Sequence, residues 1–142
     1  MTIIDLQGYD REHAQKLIDE TYEYYQENPR SKVSGRFYYL SPHGSMCAIG
    51  RCLTEHALEY AHDKCEGMAF HRFLTNWDCD HPDESMFKEP YRDLPETLWE
   101  ALQTFHDFDP NWEEPAEGHR RYRDLTRRYG DADYAKYYYN AK

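Results

Sequence analysis

Apolar and aromatic positions recur along most of this chain at intervals of three and four residues, the period of a helix with one buried face. Between Asp10 and Asn28 that face is Ala14, Leu17, Ile18, Thr21, Tyr22 and Tyr25. Asp10 is placed to cap this helix, with Glu12 in its first turn. Asn28-Pro29 ends it, because the residue before proline is pushed out of the helical region. After a polar stretch, Arg36 to Leu40 reads as a short aromatic strand bounded by Gly35 and Pro42. Ser41-Pro42-His43-Gly44 is turn chemistry. A second helix is expected from near Ser45, with Met46, Ile49, Cys52, Leu53, Ala57 and Tyr60 at helical spacing. Gly50 inside it lowers helix propensity by about 1 kcal/mol, which implies close approach of another backbone there.

The pattern continues with a short helix from Gly67 to Trp77 and an aperiodic loop from Asp78 to Tyr91. Asp93-Leu94-Pro95-Glu96 opens a fourth helix, with Leu98, Ala101, Leu102 and Phe105 on its face and its end before Pro110. Asp109 to Gly118 reads as a loop containing Trp112. A basic fifth helix follows, with the stripe Tyr122, Leu125 and Tyr129 and with Gly130 as its C′ residue. Asp131 caps a last short helix through Tyr137–Tyr139. The expected architecture is one domain over residues 1–142: mainly α, five or six short helices, with at most a small two-stranded β element. Its core is expected to include Leu17, Ile18, Ile49, Leu53, Phe73, Leu98, Leu102 and Phe105.

Composition adds that this core is partly aromatic. Hydrophobic residues make up 39% of the chain, but 14 of them are tyrosines, and mean hydropathy is -1.07. A buried tyrosine packs its ring and needs a partner for its hydroxyl. No apolar run approaches the roughly 20 residues of a membrane span. The opening Met1–Leu6 has neither a basic region nor a long apolar one, so an export signal is not expected. A cytoplasmic protein with Cys47, Cys52, Cys65 and Cys79 as free thiols is the reading that follows.

Charge is unevenly spread. The net charge is -10. Between Asn76 and Gly118 there are 13 acids against only Lys88 and Arg92, a local net of -11, while the rest of the chain has 14 acids and 15 bases. His119 to Tyr129 carries five arginines: Arg120, Arg121, Arg123, Arg127 and Arg128. The basic helix either neutralises the acidic stretch or leaves it open to a basic partner. Direct nucleic-acid binding is disfavoured by the net charge.

Three sets of residues could carry chemistry. Cys47, after the turn at Gly44, is placed in the first turn of the expected second helix, where the dipole favours thiolate. Cys47, His106 and Asn111 then stand in the order of a papain-like cysteine hydrolase or transferase. The plainer reading makes Cys47 a small core residue. His62, Cys65, Cys79 and His81 are two short His/Cys pairs that could hold zinc, though no C-x-x-C is present and no bound metal or other cofactor is expected. The many tyrosines could instead line a small-ligand sponge.

Cys47-Ala48-Ile49-Gly50 after an aromatic strand and a turn, Leu94-Pro95 opening a helix, and His106-Asp107 with Asn111-Trp112 before a closing helix form a pattern over about residues 34–129. It resembles a loose group of small uncharacterised phage and bacterial proteins sharing a C-A-(aliphatic)-G motif and a later L-H-D…N-W-like stretch, with Phe105 here in place of the leucine. The resemblance implies a phage-like origin and a shared fold, with Gly50 and Trp112 as packing pieces, and no reaction. The functional expectation is a non-enzymatic, acidic protein-binding module: a phage accessory or inhibitory factor masking a basic, nucleic-acid-binding surface of a host protein. Its binding residues are Asp78, Asp80, Asp83, Glu84, Glu113, Glu114 and Glu117, with Trp112 as an aromatic anchor.

Overall fold

The structure, a computed structural model, describes residues 8–140; the opening Met1–Leu6 segment lies outside the described residues. The chain is mainly helical. Among the described residues six α-helices run in the order α1 (Arg11–Glu27), α2 (Glu55–Tyr60), α3 (Phe70–Asp80), α4 (Glu96–Asp107), α5 (Pro110–Glu113) and α6 (Pro115–Tyr129). No sheet forms among the described residues; three isolated bridges, Val33 with Arg36, Leu40 with Met46 and Leu53 with Phe87, are the extended pairing present.

Helix α1 has the limits its sequence dictates. The Asp10 carboxylate accepts from the Glu12 N–H, and Asn28 closes the helix in an extended conformation. Its buried face packs on α6, where Tyr22 stacks on Tyr122 at 4.7 Å. The Tyr122 hydroxyl donates to buried Asp19, which Gln15 also meets at 3.0 Å. Arg11 reaches the other end of α6: its Nε donates to the Gly130 carbonyl at 2.8 Å and its Nη2 to that of Arg127 at 2.9 Å. A cation from α1 thus satisfies the orphan carbonyls at the negative end of α6.

All eight expected core residues are buried. The tyrosines behave as the composition requires. Tyr25, Tyr39, Tyr60 and Tyr122 are buried, and each hydroxyl has a partner: the Met46 carbonyl, the Met68 carbonyl, Asp80 and Asp19.

Two expected elements are corrected. Arg36–Leu40 is not a strand: the backbone N–H groups of Tyr39 and Leu40 donate to the Glu66 carboxylate, at 2.6 and 3.0 Å, instead of to a neighbouring strand. No helix starts near Ser45. Met46 bridges Leu40, and its carbonyl accepts from Tyr25, so the chain stays open until a single 3₁₀ turn at Gly50–Cys52. Leu53 is extended against Phe87 before α2 begins under a Thr54 cap. The apolar positions in this stretch are inside, as their spacing required, but on a backbone that is not continuously helical.

Smaller differences follow the same logic. Helix α3 is displaced three residues from its expected span and runs on to Asp80. Pro110 and Pro115 each open a helix, so the expected loop at Asp109–Gly118 is largely helical. The tail after Asp131 makes one 3₁₀ turn, Ala132–Tyr134, and then no helix through Tyr137–Tyr139.

Candidate functional site

The acids of the middle stretch divide into distinct settings. Asp78 and Asp80 lie on the last turn of α3, and Asp83 and Glu84 on the turn that follows, where the Glu84 N–H donates to the His81 carbonyl at 3.2 Å. The turn is anchored from below. The buried Trp77 indole donates to the Glu84 carbonyl at 2.8 Å, and the chain then pairs with the segment ahead of α2, where the Thr54 N–H donates to the Met86 carbonyl at 2.9 Å. Asp78, Asp83 and Glu84 thereby line one cleft of about 610 Å³, together with Thr54, Trp77 and Arg92. Arg92 commits its Nε to the Phe87 carbonyl at 3.1 Å. Partial burial in this setting raises the Asp78 carboxyl above its ordinary range.

The remaining acids are differently used. Asp80 accepts from the Tyr60 hydroxyl at 2.6 Å. Glu113 and Glu114 are exposed at the end of α5. Glu117 is held by Arg120 and Arg121 on its own helix, and the Arg120 hydrogen bond pulls its carboxyl below the usual range. Trp112, the expected anchor, is turned inward: its indole donates to the Phe105 and His106 carbonyls, and its ring packs on Phe105 at 4.9 Å. These contacts leave the Trp112 side chain partly buried against the core.

The α6 arginines do not lie over the cleft. Arg120 and Arg127 pair with Asp124, four and three residues away along the helix, and Arg123 and Arg127 stack on Tyr138. Among the described residues none of the five makes an ion pair with Asp78, Asp80, Asp83 or Glu84. The basic helix is neutralised mainly by its own acids at i,i+3 and i,i+4 spacing.

Cys47, His106 and Asn111 are not joined by hydrogen bonds. Cys47 is 2% exposed and stands ahead of the 3₁₀ turn, without the α-helical N-terminus expected there. Its sulfur accepts from the Gly50 N–H at 3.3 Å, yet burial dominates and pushes the thiol up to about 12. His106 Nδ1 meets the Asp107 carboxylate at 2.7 Å, and its Nε2 faces the Ser31 N–H at 3.4 Å. Asn111 Nδ2 donates to the Phe105 carbonyl at 3.0 Å. Cys47 serves its own 3₁₀ turn, His106 the loop after α1, and Asn111 the α4–α5 corner.

Burial lowers the His106 pKa, against the opposing hydrogen bond and charge of Asp107. The folded value is below the unfolded one, so the unfolded state takes up more protons as pH falls. Stability from this group is complete above about pH 6.5 and declines below it, at up to about 1.4 kcal/mol per pH unit. Denaturant titrations at pH 7 and pH 5 are expected to show a smaller loss for His106→Gln than for the parent. Parallel losses would remove His106 as the source.

The alternative metal set, His62, Cys65, Cys79 and His81, does not converge among the described residues. His62 lies 3.6 Å from Glu66, Cys65 is buried, Cys79 is exposed, and His81 belongs elsewhere. Among the described residues, donor atoms converge as a possible metal-ligand group at His56, His81 and Glu84. Sequence spacing pairs His56 with Cys52 at i,i+4 and not with His81 and Glu84, because those two come from a different helix and the turn beyond it. The four cysteines are unbonded thiols. The tyrosines do not line the groove of about 450 Å³ between α4 and α6, which is bounded by Phe105, Phe108, Leu125 and arginines. No described helix is long and apolar enough to cross a membrane. No protein-family model matches the chain, and no curated protein or solved structure is significantly similar to it.

Proposed function

We propose that this chain is a non-enzymatic protein-binding module that receives basic side chains, from a nucleic-acid-binding surface of a partner protein, in the acidic cleft at the end of α3. The observation that carries this reading is the convergence of Asp78, Asp83 and Glu84 on one cleft while Arg120, Arg121 and Arg127 of α6 pair with acids of their own helix. The resemblance to small phage and bacterial proteins fits an accessory or inhibitory factor of this kind. The mechanism is long-range attraction that speeds encounter, followed by entry of arginine or lysine heads between the carboxylates. Asp80, two residues beyond Asp78 on α3 and with its carboxylate on the Tyr60 hydroxyl, adds negative charge to the same end of that helix.

The test is affinity capture from lysate, followed by competition with duplex DNA for the captured protein. The combined variant Asp78→Asn, Asp80→Asn, Asp83→Asn leaves Glu84 in place and keeps a hydrogen-bond acceptor for Tyr60. It is expected to slow association by about tenfold at low salt, since steering by a charged cleft raises on-rates by roughly 10–1,000-fold. Capture is expected to weaken as salt rises and to be reversed by DNA. Equal capture by parent and variant across the salt range would overturn the reading.

A further inference from the structure

We propose that His56, His81 and Glu84 form a divalent metal site whose expected ion is zinc(II). Each ligand comes from a different part of the backbone: His56 from α2, His81 from the residue that ends α3, and Glu84 from the turn beyond it. One donor atom from each lies within 4.8 Å of the other two. His56 Nδ1 is 2.7 Å from one Glu84 oxygen, and His81 Nδ1 is 3.9 Å from the other. Ligands bound to tetrahedral zinc at about 2.0–2.1 Å stand roughly 3.3 Å apart, a separation between these two distances. Small side-chain rotations close the site without moving the backbone.

The ligands are held by the core beneath them. The His81 ring lies on buried Trp77 at 4.3 Å, and His56 meets the same indole edge-on at 5.2 Å. Tyr60 packs against the His81 ring at 5.5 Å, and the Trp77 indole N–H fixes the Glu84 carbonyl. The two imidazoles meet edge-on at 4.7 Å, and both have a nitrogen near the one Glu84 carboxylate. As an ordinary ion pair, a half-exposed His–Glu contact contributes little, which accounts for neither the second imidazole nor the packed floor.

Two imidazoles and one carboxylate with an open outer position are a donor set for borderline divalent ions. Calcium and magnesium prefer all-oxygen sites. Asp78 and Asp83, lining the cleft with Glu84, favour a cation electrostatically. His56 and Glu84 side chains are 51% and 46% exposed, so the ion reaches the site from solvent without unfolding.

The test is calorimetric titration of the full chain with zinc chloride, alongside ¹H–¹⁵N spectra that resolve the indole N–H signals. One zinc per chain is expected, and the Trp77 indole signal should move while those of Trp99 and Trp112 stay. Loss of an outer-shell partner alone weakens metal sites by about 10–100-fold, so His56→Gln and Glu84→Gln are each expected to weaken zinc at least about tenfold. Exposed Cys79 is the competing ligand. Cys79→Ser should leave affinity unchanged, and cobalt(II) should give no thiolate charge-transfer band. His56→Gln, at an exposed helical position, is the decisive variant, because His81→Gln also disturbs the Trp77 stack. Undiminished zinc affinity in His56→Gln, loss of binding in Cys79→Ser, or no saturable binding in the parent would each overturn the site. None of these readouts involves a protein partner, so the outcome is independent of the proposed binding function.

Discussion

Replacing Trp77 with alanine is expected to cost the fold about 4 kcal/mol, as deletion of a buried large aromatic does, and to lower the melting temperature by roughly 10–15 °C. The indole is 1% exposed, and Tyr60 packs on it edge-on at 5.2 Å. Alanine leaves a cavity between α2 and α3 that rigid neighbours only partly fill. It also strips the Glu84 carbonyl of its donor and removes the surface on which His81 rests. Trp77→Phe keeps most of the packing and loses mainly the hydrogen bond, worth about 1 kcal/mol. It should therefore fall well short of the alanine effect. Calorimetry or denaturant unfolding measures both. An alanine variant within about 1 kcal/mol of the parent would mean that the turn carrying Asp83 and Glu84 is supported by something other than this ring.

Gly50→Ala and Gly118→Ala are each expected to destabilise by about 3 kcal/mol, the upper range for forcing an extra carbon into a packed site. The sign is the informative part. Neither glycine has a positive φ, and Gly118 lies inside α6, where helix propensity alone predicts a gain of about 1 kcal/mol from alanine. A Cβ at Gly50 would press into the Tyr39 carbonyl, whose carbon would be 3.1 Å away. One at Gly118 would meet the Asn111 carbonyl, with its carbon at 3.2 Å. Both obstacles are backbone, which cannot rotate aside. Gly44→Ala is the control: its φ is +85°, but nothing lies within 4 Å of the added carbon, so its cost is conformational and smaller. If Gly118→Ala stabilises, propensity outweighs the α5–α6 contact and the close packing of that corner is wrong.

These two glycines also mark the division between what was legible in the sequence and what was not. A glycine inside a helical pattern signals a close backbone approach, as at Gly50. Gly118 carries the same signal only once Pro115 is seen to open α6, because the sequence between Asp109 and Gly118 has no helical period of its own.

Where structure is local, the residue order was sufficient. Asp10 and Asn28 bound α1, the three-four spacing picks out Leu17, Ile18, Leu98, Leu102 and Phe105 as core, and the partners of the α6 arginines are i,i+3 and i,i+4 acids. Caps, period and same-helix pairs act within one or two turns, so the sequence by itself determines them. The tertiary structure decided the rest. It gave the Tyr39 and Leu40 donors to Glu66, held the Met46 carbonyl on Tyr25, turned Trp112 inward and set His56 beside His81 and Glu84. Hydrophobic period reports which positions are buried, but not where a backbone donor finds its acceptor. In the stretch before α2 those acceptors and donors are side chains about 20 to 27 residues away, and their geometry, rather than local preference, sets the conformation.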